Sequence, residues 1–316
     1  MISLESVSKR YGPKTVVDNI SFTVEPGEIV GFLGPNGAGK TTTLRMISGY
    51  ITPTIGLVQV AGFDMALKNT AAAKKIGYLP ELPPLYDTLS VVGYLRFVAK
   101  AKGIPRPDLK SELDRVCTAC RLEAVFRYEV FKLSKGYRQR LGLAQALIGK
   151  PDVLLLDEPT SGLDPGQIQE TREVIRSFGK DHTVLLSTHI LSEVTRICQR
   201  VAIINQGRLL TIDTPSGLQR AAEEANRIVL KISGEIQHLR DELLSLNGLR
   251  EVKIEKPDSS GMSVIECDVD DRDGVDADIA RTVTTNWSLH HLERRQPTLE
   301  NIFLRYVRET PGDLDS

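Results

Sequence analysis

Ile29-Val30-Gly31-Phe32-Leu33 runs directly into Gly34-Pro35-Asn36-Gly37-Ala38-Gly39-Lys40-Thr41, and then into Thr42-Thr43-Leu44-Arg45-Met46-Ile47. The first five residues predict a short, wholly buried strand, and the last six predict the opening of a helix. Between them stands G-x-x-x-x-G-K-T, the spacing of a phosphate-binding loop. Gly34, Gly37 and Gly39 carry no Cβ, so the backbone can curl with its N–H groups turned inward, where the helix N-terminus adds partial positive charge. Lys40 is placed to reach the β- and γ-phosphates of a nucleotide. Thr41 offers a hydroxyl to Mg²⁺, which keeps an octahedral oxygen shell built partly from phosphates and water.

At 316 residues the chain exceeds one ordinary core, so two domains are expected. Its 41% hydrophobic and 26% charged residues suit a globular protein. A net charge of −1 offers no global attraction to nucleic acid, and no nucleic-acid partner is expected. No run approaches the about 20 apolar residues of a membrane helix, and the N-terminus lacks a signal pattern. A cytosolic chain with reduced thiols is therefore expected. Cys117 and Cys120 form a C-x-x-C within a predicted helix, without a second pair or a nearby histidine, so core thiols are expected rather than a redox or metal site.

Upstream of the loop, Ile2 to Ser8 and Ile20 to Val24 alternate as strands, and Tyr11 lies between them, where its ring could stack on a nucleotide base. Gly56 to Gly62 and Ile76 to Leu79 read as further strands. The second ends in the proline-rich Pro80-Glu81-Leu82-Pro83-Pro84, which displays Glu81. Ser90 to Lys102 and Asp108 to Arg121 read as helices with Ser90 and Asp108 as caps, a helical insertion in an α/β chain. Ser134 caps a helix running to Ile148, so Leu133-Ser134-Lys135-Gly136-Tyr137 presents a second helix N-terminus suited to an anion. Val153 to Leu156 is a buried strand that ends in Asp157-Glu158. Paired acids there suit a site in which Asp157 holds the Mg²⁺ shell and Glu158 orients or deprotonates an attacking water. Thr183 to Ser187 is the next strand, followed by His189. Ligands of open α/β sheets bind at the carboxyl ends of the strands, so Lys40, the acid pair and His189 should converge.

These motifs, in this order from Tyr11 to His189, resemble the ATP-binding subunit of an ABC transporter over about the first 215 residues. The resemblance implies a P-loop cassette that binds ATP with Mg²⁺. It implies contacts to the nucleotide from Tyr11 and from Gly34, Pro35, Asn36, Gly37, Ala38, Gly39, Lys40, Thr41 and Thr42. It further implies Ser134 and Gly136 as a signature that caps the γ-phosphate of a partner subunit, Thr41, Asp157 and Glu81 around the metal, Glu158 as catalytic carboxylate, and His189 as γ-phosphate switch. Ser161-Gly162-Leu163-Asp164 resembles the loop that joins the two sites. Two motifs depart from the family: Glu81 stands where Gln is usual, and in the signature Lys135 and Tyr137 replace the third and fifth residues of Leu-Ser-Gly-Gly-Gln. Such signatures resemble export-type members.

Beyond Thr214-Pro215 the pattern resets. Strands are expected at Arg227–Ile232, Glu251–Lys256, Ser263–Val269 and Ser288–Glu293, and helices near Glu235–Leu246 and Asp273–Thr285, a ferredoxin-like β-α-β-β-α-β order. A last amphipathic helix carries Leu299, Ile302, Phe303 and Tyr306. Asp268, Asp270, Asp271 and Asp273 lack the glycine and distal glutamate of a calcium loop, and His290 and His291 face opposite sides of a strand. The expected layout is a cassette over 1–217, an α+β accessory domain over 226–310, regulatory or dimer-supporting, and a tail over 311–316. The expected partners are ATP, a second copy or a homologous ATPase subunit, and an integral membrane transporter subunit that holds the chain at the inner face of the cell membrane. The competing reading is a soluble ABC-type ATPase switch.

Overall fold

A computed structural model describes residues 1–67, 70–179, 182–223, 227–234, 236, 238–255, 261–270, 272 and 274–295. The helix expected around Leu299 to Tyr306, the tail 311–316, Asp271 and Asp273 lie outside the described residues. The chain divides into two compact units, Met1–Pro215 and Ser216–Ser316.

In the first unit, β1 (Ile2–Tyr11) and β2 (Lys14–Val24) form an antiparallel hairpin, and β3 (Ile29–Leu33) leads through the phosphate loop into α1 (Lys40–Ile47). Next come β4 (Ile55–Val60), β5 (Phe63–Asp64), α2 (Thr70–Lys74) and β6 (Ile76–Leu79). Helices α3 (Val91–Ala101), α4 (Leu109–Ala119) and α5 (Lys135–Leu147) precede β7 (Val153–Asp157). The unit closes with α6 (Pro165–Phe178), β8 (Thr183–Thr188), α7 (Leu191–Ile197), β9 (Arg200–Asn205) and β10 (Arg208–Asp213).

Two sheets result. β2-β1-β4-β5 is antiparallel, and β10-β9-β3-β8-β7-β6 is parallel except for the β9–β10 edge. Their facing residues share one core with α1, in which Leu44, Met46 and Ile47 are fully buried and Phe22 of β2 stacks on Phe32 of β3 at 5.6 Å. Burying each such side chain contributes about 1.5–3 kcal/mol, so α1 is clamped where it presents its N-terminus to the loop.

The hairpin strands are longer than their alternation predicts. β1 runs on to Tyr11 and β2 starts at Lys14, so Tyr11 ends a strand rather than lying between two. The pairing shifts register at several points and Ser6 and Asn19 take positive φ, and such bulges break the period-2 signal that identifies a strand from sequence. Asp108 also departs from expectation. A short 3-10 turn over Arg106–Asp108 precedes α4, and the Asp108 side chain makes no cap bond. Ser90 and Ser134 do cap their helices, accepting from Gly93 N and Tyr137 N.

The insertion is bolted to α5 by side chains whose purpose the sequence conceals. A helix end leaves four carbonyls without partners. Lys102 Nζ donates to the carbonyls of Gln145, Ala146 and Ile148 at 3.1, 3.0 and 2.8 Å. Arg115 Nη2 donates to Leu147 O at 2.8 Å and pairs with Glu112, whose Oε1 accepts from Gly149 N at 2.7 Å. Burial pushes the Lys102 ammonium pKa down to about 8, although Glu112 acts the other way. Cys117 and Cys120 are buried free thiols, and desolvation raises both pKa values, that of Cys117 to about 11.

In the second unit, α8 (Pro215–Glu223) precedes β11 (Arg227–Ser233), α9 (Leu239–Leu244), β12 (Leu249–Ile254), β13 (Met262–Val269), α10 (Val275–Asn286) and β14 (Ser288–Arg295). The strands form one antiparallel sheet in the order β12-β13-β11-β14. Strand β13 alternates buried and half-buried side chains along its length, and Leu239, Leu243, Val275, Ile279 and Val283 of the two helices join the core. His290 Nε2 meets Ser233 Oγ at 2.8 Å while His291 pairs with Glu293 at 3.7 Å, so the adjacent histidines serve different partners. Asp268 and Asp270 pair with Arg227 and Arg250. Among the described residues no group of three His, Cys, Asp or Glu side chains is arranged to hold a metal by itself, and no helix is long and apolar enough to cross a membrane.

Candidate nucleotide-binding site

The parallel register sets the strand ends side by side. Leu33 of β3 pairs with Thr188 of β8, Asp157 of β7 with Ser187 of β8, and Leu79 of β6 with Leu156 of β7. The phosphate loop, His189, the Asp157-Glu158 pair and the Glu81 loop therefore leave neighbouring strands at the same carboxyl edge, where α/β sheets bind ligands. Strand β8, which delivers His189, lies between β3 of the phosphate loop and β7 of the acid pair.

In the phosphate loop, Gly39 is the N-cap of α1 at φ 104°, a conformation a side chain would strain. A Cβ on Gly34 would run into the Ile204 carbonyl. Ala38 N bonds back to Pro35 O at 3.2 Å, and Gly207 N to Ala38 O at 3.0 Å, so the loop is held from outside as well as by its own turn. Asn36 and Gly37 are exposed, while Gly34, Ala38, Gly39 and Lys40 are buried, and Pro35, Thr41 and Thr42 are half-buried. Lys40 Nζ donates to Gly34 O at 2.7 Å and Pro35 O at 3.1 Å, and lies 3.4 Å from Glu158 Oε1.

The acid pair is tightly placed. Asp157 is 0% exposed, and its Oδ1 accepts from Ser187 Oγ at 2.6 Å and Thr41 Oγ1 at 3.2 Å. Its Oδ2 is buried without a hydrogen-bond partner. Glu158 takes φ 48°, a conformation that costs about 1–3 kcal/mol outside glycine and persists where the surroundings impose it. Its N–H is held by Ser187 O at 3.1 Å and Ser187 Oγ at 3.2 Å. The twist turns its carboxylate toward both neighbours, with Oε1 facing Lys40 and Oε2 lying 2.9 Å from His189 Nδ1.

Lys40, Thr41, Asp157, Glu158 and His189 are thus brought together. Glu81 is exposed beyond the end of β6. Tyr11 is half exposed, with Lys9 Nζ 5.2 Å from its ring centre. Ser134 is exposed at the start of α5, and Gly136 is buried where a Cβ would press on the Gln167 side-chain amide, 2.6 Å from its carbon. Asp164 caps α6 through Gln167 N at 2.9 Å, in the loop that follows the acid pair.

Two participants escaped sequence reasoning. Ser187 reads only as the last residue of an apolar strand, yet it holds Asp157 and the Glu158 backbone. Glu193 reads as an ordinary helix carboxylate, yet it is 1% exposed, with the hydroxyls of Thr160 and Thr188 donating to it. A carboxylate four residues after His189 was visible, but its inward direction was not.

The profile of the family described as ABC transporter matches residues 17–161. Nod factor export ATP-binding protein I of Paraburkholderia xenovorans is 37% identical over 306 residues, covering 96% of each chain. Linearmycin resistance ATP-binding protein LnrL of Bacillus subtilis is 30% identical, over 99% of this chain and 100% of its own length. A solved structure described as the ATP binding subunit of an ABC transporter superposes with a TM-score of 0.64 at 31% identity, covering 70% of this chain and 92% of that one. Profile, full-length relatives and fold agree with the gathering of phosphate loop, acid pair and histidine: the chain belongs to the ABC transporter family, as one of its ATP-binding, ATP-hydrolysing subunits.

Proposed function

We propose that this chain powers export by pairing with a second copy, or a homologous ATPase subunit, around two ATP molecules and passing the motion to separate membrane subunits. The observation that carries this reading is the bridge made by Glu158, one oxygen toward Lys40 and the other toward His189. A carboxylate between a phosphate-reaching lysine and a histidine stands where an attacking water is oriented or deprotonated, and His189 is within reach of the terminal phosphate. Tyr11 stacks on the base, residues Gly34 to Thr42 cradle the phosphates, and the exposed Ser134 with Gly136 faces the nucleotide held by the other subunit.

The donor set fits magnesium. Asp157 Oδ2 is a buried oxygen without a protein partner, and Thr41 Oγ1 sits beside Oδ1 of the same carboxylate. These two residues would hold Mg²⁺, with Glu81 at the rim, and the cation supplies charge neutralisation on the phosphates.

The docking surface for the membrane subunit is the segment after β6. Leu82 is 84% and Tyr86 53% exposed, and the Tyr86 ring meets Tyr94 and Phe97 edge-on at 6.1 and 5.4 Å. Phe131 N donates to Asp87 O, which brings the segment that carries the exposed Tyr128 and Phe131 alongside. Exposed aromatic clusters of this kind mark protein interfaces. Such docking places the chain peripherally on the inner face of the membrane. Export as the direction is supported by the names of the relatives. The second unit is an α+β, ferredoxin-like accessory domain, supported by its strand order, and its role is regulatory or dimer-supporting.

The test is to purify tagged chain from detergent-extracted membranes and assay phosphate release with and without the integral membrane protein that accompanies it. Co-purification and altered turnover are expected. Hydrolysis by a chain that never accompanies an integral membrane protein would overturn the transporter reading in favour of a switch ATPase.

A further inference from the structure

Glu193 lies in the first turn of α7 and, at 1% exposed, is nearly as buried as Asp157. Its Oε1 accepts from the Thr160 hydroxyl and its Oε2 from the Thr188 hydroxyl at 2.8 Å. Thr160 stands two residues after Glu158, and Thr188 immediately before His189. Thr188 is itself a junction, since its Oγ1 accepts from Ile190 N at 3.0 Å and its carbonyl accepts from Gly34 N at 3.3 Å. One carboxylate therefore ties the turn that carries Glu158 to the turn that carries His189, and through Thr188 to the first N–H of the phosphate loop.

Stability alone does not account for this arrangement. The cation beside Glu193 is Arg172, whose Nη2 is 3.9 Å from Oε1, beyond hydrogen-bond reach, and whose Nε is buried without a partner. A buried charge so weakly paired gains little over a well-packed apolar residue. What an apolar residue could not do is hold two hydroxyls on two different turns at a fixed separation.

We propose that Glu193 is a positioning residue for ATP hydrolysis, holding the Glu158 and His189 turns at the spacing that sets His189 Nδ1 2.9 Å from Glu158 Oε2. The inference rests on the roles given above to Glu158 and His189. Glu193 touches neither the nucleotide loop residues nor the reacting groups, and acts through Thr160 and Thr188. Alignment of this kind is costly to lose, because misplacement by about 1 Å can lower a rate by 10²-fold.

The experiment compares Glu193→Ala with Glu193→Gln, which keeps the shape and can still bond both threonines, and with Thr160→Val combined with Thr188→Val. For Glu193→Ala and the threonine pair, kcat should fall at least about tenfold while KM for ATP stays within about threefold, and Glu193→Gln should restore most of the rate. Because the residues act as a unit, Glu193→Ala should cost less than about threefold when added to His189→Ala. A Glu193→Ala protein that melts earlier but keeps its kcat would assign Glu193 to the fold alone. A full multiplicative loss on top of His189→Ala would also overturn the proposal. Should Glu193→Ala not fold, the threonine pair decides by the same split of kcat and KM. Glu158→Gln and His189→Ala run in parallel: if these two keep full turnover, it is the reading of the site that fails, whereas their loss beside unaffected Glu193 variants refutes the positioning role.

Discussion

Lys40 Nζ lies 3.4 Å from Glu158 Oε1, with both side chains less than a tenth exposed. Neutralising Glu158 removes the charge from this pair but leaves Lys40 its carbonyl partners in Gly34 and Pro35, so the loop should keep its shape. Glu158→Gln is therefore expected to bind ATP normally, to lose turnover by roughly 10²–10⁴, and to accumulate as an ATP-bound dimer. Phosphate release together with size-exclusion chromatography in ATP checks this, and a variant with normal turnover would refute the assignment.

Ser134 caps α5 through Tyr137 N while remaining exposed. A residue that faces the partner's nucleotide should matter to the dimer and not to the monomer. Ser134→Arg is expected to abolish hydrolysis while the affinity of the isolated chain for ATP changes little, as read by equilibrium nucleotide binding. Parallel loss of binding and hydrolysis would instead place Ser134 in its own subunit's pocket.

The half-buried Leu85 and half-exposed Tyr86 lie in the proline-rich segment beyond β6. Two charges there would oppose an apolar contact without reaching the phosphate loop. Leu85→Asp with Tyr86→Asp is expected to release the chain from membranes and uncouple transport, with ATP binding by the purified protein unchanged. Co-sedimentation equal to that of the parent would put the docking surface elsewhere.

Lys102 carries a pH prediction. Burial lowers its pKa from an ordinary 10.5 to about 8 in the folded chain, so between these values the unfolded chain holds a proton that the folded one has shed. Stability therefore rises with pH across that window and is flat with respect to this group below about 8. Lys102→Met lacks the group, so the unfolding free energy of the parent minus that of the variant should grow from pH 8 to pH 10 in urea titrations. A constant difference would show that the ammonium keeps its ordinary pKa.

Much of the site was legible because its residues occupy fixed places in local patterns. A phosphate loop needs its glycines and lysine at set spacing, and a buried strand that ends in two acids is already anomalous as packing. The Ser90 and Ser134 caps were legible for the same reason, since a cap and its helix are neighbours in sequence. The Asp108 cap was misread because a 3-10 turn took up the entry to α4. The full lengths of β1 and β2 were hidden by bulges that interrupt alternation.

Sequence alone determined the kind of chemistry, because phosphate cradling, metal holding and water activation each demand particular residue types next to particular turns. It also carries a break at Thr214-Pro215, where the cassette motifs stop. Only the tertiary structure decided which distant groups meet. That Ser187 holds Asp157, that Glu193 joins the turns of Glu158 and His189, and that Lys102 and Arg115 close the end of α5 are all contacts between segments far apart in the chain or hidden in direction. Local patterns encode conformation, whereas such pairings depend on strand order and register, and these are chosen by the packing of the whole sheet.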